Sequence, residues 1–234
     1  MTRLVLIPGL AGDAVMWRAQ LDGLRDFDPV VTDVHTNHTT IPSMAAALLA
    51  EHEGPLVLCG ASMGGMIAME AARQSPDRIA GLALLGTTAR PESEEMRKLR
   101  ETAIGFFEQG RVAEVIEPNV RFAFHPESAM NQELVADYLE FVMRAGAAQL
   151  IRQNRAVIER PDAREHLPRL RCPVIVMHGD SDGLVPFEHA SEIASMLANV
   201  QLFAVPRCGH MLTMEQPAFV NAALERWLRS GIAA

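Results

Sequence analysis

Cysteine is scarce in this chain. There are three, Cys59, Cys172 and Cys208, odd in number and far apart, with no C-x-x-C pair. That excludes a zinc ribbon and a disulfide framework and makes a reducing cytoplasm the expected location. Long hydrophobic runs are missing as well. The longest stretches, such as Leu82-Ala83-Leu84-Leu85, are strand-sized, far short of the roughly 18 residues of a membrane span. The start reads as a strand rather than a secretory leader, since Arg3 precedes four apolar residues that end at Pro8-Gly9. Positive charge is in deficit: 21 Lys+Arg stand against 29 Asp+Glu, a net charge of −8. A phosphate-backbone binder needs a basic face, so neither nucleic acid nor membrane is an expected partner. No H-x-H or H-E-x-x-H spacing occurs among the eight His, so no metal is expected.

What remains is ordinary globular composition, 49% apolar and 21% charged over 234 residues, enough for one domain with a sizeable core. Short continuous apolar runs recur at 4–7, 30–31, 56–59, 82–85, 174–177 and 202–205. Continuous rather than alternating runs predict parallel strands buried on both faces. Helix-like segments lie between them, near 14–24, 43–52, 63–74, 188–198 and 217–229. The alternation predicts an α/β fold: a mostly parallel sheet of about six strands flanked by helices. The interval 91–168 breaks the rhythm. It has no strand-like run, is punctuated by prolines and holds six of the twelve aromatics. It is expected to be a helical insertion of three to five helices, leaving 1–90 and 169–234 as the core.

The chemistry concentrates at Gly60-Ala61-Ser62-Met63-Gly64, a G-x-S-x-G motif between an apolar run and a helical segment. A strand–turn–helix elbow holds a serine on a sharp, strained turn with its hydroxyl exposed. Glycines flank it because side chains there would block the close strand–helix approach. A serine nucleophile needs a base and a group to orient that base. Two later loops follow apolar runs: His178-Gly179-Asp180-Ser181-Asp182 and Pro206-Arg207-Cys208-Gly209-His210. His210 can take the serine proton. Asp182 can hold the imidazole in the right tautomer, with Asp180 as the rival acid. The backbone N–H of Met63 and that of Leu10, in Pro8-Gly9-Leu10-Ala11-Gly12, are the candidate oxyanion donors.

With these elements the chain resembles an α/β-hydrolase-fold serine hydrolase. The matching pieces are Leu6-Ile7-Pro8-Gly9-Leu10, Trp17, Gly60–Gly65, Ser75–Ile79, Gly179–Pro186, Gly209-His210 and Glu215-Gln216-Pro217. The resemblance implies that 91–168 is a cap and favours Asp182 as the acid. It also implies that no cofactor is needed and that the nearest kin are small capped carboxylesterases, enol-lactone hydrolases and C–C bond hydrolases. Three departures stand out: the usual first two strands are missing, Pro8-Gly9 replaces His-Gly, and Asp33-Val34-His35-Thr36-Asn37-His38 replaces an Arg-Gly-His-Gly loop. Ser62 excludes the relatives that use an Asp nucleophile.

The cap is expected to close over Ser62, with Phe106, Phe107, Phe122, Phe124 and Met143 as candidate substrate-lining residues. The expected function is cleavage of a small, largely apolar carboxylic ester by Ser62, Asp182 and His210 through an acyl-enzyme. An enol-lactone or C–C bond hydrolase with the same trio is the alternative. A non-catalytic binding protein of the same fold is a further one. The expected partner is a small-molecule ester or lactone. Ala- and Met-rich segments could also pack against a second copy, giving a homodimer.

Overall fold

In the computed structural model, which describes residues 2–230 and residue 232, six strands form one all-parallel sheet. They are β1 (Arg3–Ile7), β2 (Val30–Val31), β3 (Leu56–Ala61), β4 (Ile79–Leu85), β5 (Val174–Gly179) and β6 (Val200–Val205), in the order β2-β1-β3-β4-β5-β6. The register runs through Leu6↔Cys59, Cys59↔Ala83, Leu84↔Val176 and Val176↔Leu202. All six strands coincide with the apolar runs of the sequence. The chain moves outward from β1 to β2, then returns to β3 on β1's other side. Strand order therefore reverses between β1 and β3, and in open α/β sheets ligands bind at the carboxyl ends of strands at such a point.

The helices in chain order are α1 (Arg18–Gly23), α2 (Val34–Asn37), α3 (Ile41–Glu51), α4 (Met63–Gln74), α5 (Glu94–Glu108), α6 (Val112–Ala123), α7 (Gln132–Ile158), α8 (Glu188–Ser195), α9 (Leu212–Glu215) and α10 (Pro217–Arg229). Local chemistry sets several ends. Thr40 Oγ1 accepts from Ser43 N and starts α3 with a capping box. Ser93 and Asn131 cap α5 and α7 through their side-chain oxygens. Such caps satisfy amide groups that the first helical turn leaves unpaired. Between β4 and β5 lie α5, α6 and α7, where the sequence predicts only helix. A break inside α7 was not legible: Gly146 sits at φ 72, ψ 170, and α7 bends there.

Alternate strand residues divide the core. Leu4, Leu6, Val57, Cys59, Ile175 and Met177 face Trp17, Leu224 and Trp227 from the α1/α10 side, together with Phe107, Phe124 and Phe141 from the insertion. Val5, Ile7, Leu56, Leu58, Val174 and Val176 face Met44, Leu48, Ile67 and Ile193 of α3, α4 and α8. β6 departs from the expected two-sided burial. It is the sheet edge, and Gln201 and Leu202 lie exposed, since an edge strand has a neighbour on one side only.

The insertion is riveted to the sheet by a buried ion cluster. Glu92, 4% exposed, meets Arg160, 7% exposed, at 2.9 Å and Arg100 at 2.6 Å. Arg160 also donates to Arg90 O and Pro91 O. Its guanidinium thus joins the two chain segments that leave and re-enter the sheet. Burial pushes the Glu92 carboxyl up, but the two guanidinium groups outweigh it and hold the pKa below the ordinary value. A depressed carboxylate contributes stability above its unfolded pKa and loses it as pH falls through its folded one. Glu92→Gln should therefore cost about 3–5 kcal/mol at neutral pH, because it leaves buried guanidinium charge unpaired. Urea denaturation at pH 7 and pH 4 checks this: the wild-type and variant midpoints should draw together at the lower pH.

Candidate active site

Ser62 stands between β3 and α4 at φ 53, ψ −117. Such a conformation costs a non-glycine residue roughly 1–3 kcal/mol and persists only where its surroundings dictate it. Here they do. Ser62 N donates to Leu85 O at 2.8 Å, and the Thr87 hydroxyl donates to Ser62 O at 2.7 Å. A side-chain carbon at Gly60 would lie 2.2 Å from Gly64 O, and one at Gly64 would lie 2.1 Å from Ile7 O. Only glycine lets β3, α4 and β1 approach this closely. The turn is the elbow that the pentapeptide predicts.

Two candidate donors flank this serine. Met63 is the first residue of α4, where backbone N–H groups have no acceptor within the helix and the dipole is positive. On the other side runs the turn after β1. A carbon at Gly9 would sit 3.3 Å from Ser62 Cβ, so Leu10 follows a residue in contact with the serine. Gly12 N donates to Gly9 O at 3.0 Å and closes the turn. Inside it Ala11 takes φ 60, a left-handed conformation that costs an L-residue roughly 1–2 kcal/mol.

The Asp182 carboxylate is fully buried and accepts on both oxygens. Leu184 N and Val185 N donate to Oδ1, each at 2.9 Å. Oδ2 lies 2.7 Å from His210 Nδ1 and 3.2 Å from His178 Nε2. Burial alone would push the Asp182 carboxyl up. The His210 charge and hydrogen bonds from His178, His210 and Val185 outweigh it and hold the group far below the ordinary carboxylate range. Burial likewise pushes the His210 imidazole down, yet the Asp182 carboxylate outweighs it and leaves the pKa raised. With Nδ1–H committed to Asp182, Nε2 is the nitrogen left to accept a proton. A carbon at Gly86, just past β4, would lie 3.5 Å from His210 Nδ1, so the histidine stands over the sheet end that carries Ser62. Ser62 Oγ itself forms no hydrogen bond among the described residues; in unliganded enzymes such contacts commonly tighten only with substrate.

Asp180, the rival acid, is occupied elsewhere. Its carboxylate accepts from Arg207 N at 3.1 Å, Cys208 N at 3.3 Å and the Ser181 hydroxyl at 2.8 Å. It stitches the loop after β5 to the loop after β6 and forms no hydrogen bond with His210. His178 supports the loop after β5 through Nε2, which lies 2.7 Å from Val185 O.

The candidate lining residues separate. Phe107 and Phe124 are buried, and Phe124 packs edge-on against Tyr138 with ring centres 5.3 Å apart. Phe106 lies beneath the Arg111 guanidinium. Phe122 and Met143 are exposed. The end of α6 nonetheless reaches the site through its backbone. Ala123 O accepts from His210 N at 2.8 Å, and Phe122 backbone atoms lie where a side chain at Gly183 would fall. Arg144, Arg152 and Arg155 of α7 are engaged with Asp13 and Glu140, Thr36 O and Glu108.

Sequence reading missed four supporting residues. Glu215 accepts from Gly209 N at 3.0 Å, Met211 N at 3.1 Å and His125 N at 2.8 Å, and so fixes the loop that carries His210. Its place in Glu215-Gln216-Pro217 was the available signal. His35 lies in the Asp33–His38 loop that departs from the family pattern, whereas Thr87 and Gln153 carried no signal, because their partners are remote in sequence. Among the described residues, no group of three or more His, Cys, Asp or Glu is arranged to hold a metal ion, and no helix is long and apolar enough to cross a membrane.

Comparison with known proteins agrees with this fold. The chain is 27% identical over 213 residues to the pimeloyl-[acyl-carrier protein] methyl ester esterase of Aromatoleum aromaticum, covering 81% of this chain and 80% of that one. A thermophilic esterase from Thermogutta terrifontis superposes with a TM-score of 0.89 at 28% identity, over 100% of this chain and 91% of the other. The enol-lactonase of Burkholderia xenovorans LB400 shares the fold, with a TM-score of 0.86 at 19% identity over 98% and 92% of the two chains. The model of the alpha/beta hydrolase family matches residues 4–223. With its parallel sheet, serine elbow and strand-end loops, this chain belongs to the alpha/beta hydrolase family.

Proposed function

We propose that this protein is a serine hydrolase of small, largely apolar carboxylic esters, with Ser62 as nucleophile, His210 as base and Asp182 as the group that orients it. The observation that carries the reading is the 2.7 Å contact between His210 Nδ1 and the buried Asp182 carboxylate, at the sheet end that holds a strained serine. The esterases among the relatives support the bond type. Residues 91–168 act as the cap and 1–90 with 169–234 as the catalytic core.

Ser62 Oγ attacks the ester carbonyl carbon as its proton passes to His210 Nε2. The tetrahedral oxyanion is held by the Leu10 and Met63 N–H groups, each worth about 3 kcal/mol of barrier. The C–O bond to the alcohol breaks, and the alcohol leaves with the proton from Nε2. Water then attacks the acyl-enzyme, giving a proton to Nε2, which returns it to Ser62 as the acid departs. Asp182 stays ionised throughout and stabilises the imidazolium. The chemistry calls for no cofactor.

A p-nitrophenyl ester series from acetate to decanoate tests the reaction. Hydrolysis should peak at one acyl length and vanish in Ser62→Ala; activity that survives Ser62→Ala overturns the nucleophile. Labelling of Ser62 by a fluorophosphonate without ester turnover would shift the reading to an enol-lactone or C–C substrate. No labelling would leave a binding protein.

The pH profile tests the base. His210 must be neutral to accept a proton, and its pKa lies above the ordinary imidazole value of 6.5, so kcat/KM should fall as pH drops through a value above that. Asp182→Asn removes the charge that raises it. The acid limb should move to lower pH while kcat falls about 10⁴-fold. Asp180→Asn, at a residue with no hydrogen bond to His210, should leave the acid limb in place.

A further inference from the structure

A buried glutamine from the insertion reaches across 142 residues of sequence to the turn beside Ser62. Gln153 of α7 is fully buried. Its Oε1 accepts from Ala11 N at 2.7 Å, and its Nε2 donates to His35 O at 3.0 Å. His35 Nε2 donates in turn to Gly12 O at 2.8 Å. The ring of contacts closes on itself: turn after β1, α7, α2, and back to the turn. His35 Nδ1 is buried without a partner, which suits a neutral ring with its proton on Nε2. Two further contacts clamp the same segments, Arg144 to Asp13 at 2.7 Å and Arg152 to Thr36 O at 2.9 Å.

The turn needs such a clamp. In Gly9-Leu10-Ala11-Gly12 the third residue has positive φ, a place that turn chemistry normally gives to glycine. Alanine there favours a relaxed turn in which the Leu10–Ala11 peptide is flipped. A flipped peptide points the Ala11 N–H away from Gln153 and leaves both groups unpaired in a buried place. The glutamine oxygen therefore selects the strained form over the relaxed one. The neighbouring Gly9–Leu10 peptide carries the Leu10 N–H.

We propose that Gln153 is a positioning residue: by holding the Leu10–Ala11 peptide in its strained orientation it keeps the Leu10 N–H aimed at the oxyanion formed at Ser62. This rests on the reading of Leu10 as an oxyanion donor. It gives the insertion a part in the chemistry beyond covering the site.

The test is the rate at which a fluorophosphonate labels Ser62, which requires no knowledge of the natural substrate. Ser62 Oγ forms a bond to phosphorus as its proton passes to His210 Nε2, fluoride leaves, and the phosphoryl oxygen occupies the oxyanion site. Gln153→Met should lower the limiting labelling rate about 30-fold, with half-saturation changed less than about threefold, because one donor is misaligned rather than removed. Ala11→Gly removes the strain at positive φ and should label within about threefold of wild type. In that background Gln153→Met should cost about fivefold or less, the coupling expected of residues acting on one turn. A Gln153→Met protein that labels within about threefold of wild type overturns the proposal and leaves Gln153 a packing residue. So does a Gln153→Met loss that is as large in the Ala11→Gly background as in wild type. Should Gln153→Met not fold, Gln153→Glu decides: it keeps an acceptor oxygen for Ala11 N and should label within about fivefold of wild type, whereas a 30-fold loss overturns the proposal. Failure of the underlying reading looks different. Wild type would then label no faster than Ser62→Ala, and both readings fall together.

Discussion

A single buried carboxylate organises this molecule's candidate site. Asp182 lies out of water, where an unpaired charge would cost several kcal/mol, and its donors come from three places. Two are amides in its own loop, one is a histidine on β5, and one is a histidine on the loop after β6. Meeting all of them fixes the spacing and orientation of two adjacent strand ends. Asp180 does the same work from outside, accepting amides of the β6 loop. Two carboxylates two residues apart thus take separate tasks: one locks a histidine tautomer, the other locks the loops.

Strain is concentrated at the opposite edge of the same site. Ser62 and Ala11 both adopt positive φ without being glycine, and they lie on either side of the point where strand order reverses. Neither conformation would persist on an isolated loop. Ser62 is held by Leu85 O and the Thr87 hydroxyl, and Ala11 by Gln153. The rigid parallel sheet makes this possible, because β1, β3 and β4 present their ends at fixed spacing. A site assembled this way is preorganised: the cost of ordering it is met during folding rather than during reaction.

The insertion is bound into this frame at three depths. The Glu92–Arg100–Arg160 cluster ties its roots, Ala123 O and Glu215 tie it to the His210 loop, and Gln153 ties it to the first turn. Its apolar underside, centred on Phe107, Phe124, Tyr138 and Phe141, is continuous with the core on one face of the sheet. Hence the wealth of aromatics there serves mainly packing, and two of the five residues expected to line a pocket, Phe107 and Phe124, are core residues.

The sheet, the elbow and the order of the candidate trio are legible in the sequence. Each is encoded locally: buried parallel strands require continuous apolar runs, an elbow requires glycines two residues either side of the serine, and loops after strands require turn-forming residues. The ends of strands in a parallel sheet fall on one side, so three such signals converge without any knowledge of distance. Contacts in three dimensions separate the partners of Asp182 from those of Asp180, show which aromatics are core and place the break in α7. Those depend on contacts between residues far apart in the chain, such as Gln153 with Ala11 and His35, and Arg160 with Glu92. No local pattern carries them, because a buried hydrogen bond is set by where two backbones pass and not by the residues on either side of its donor.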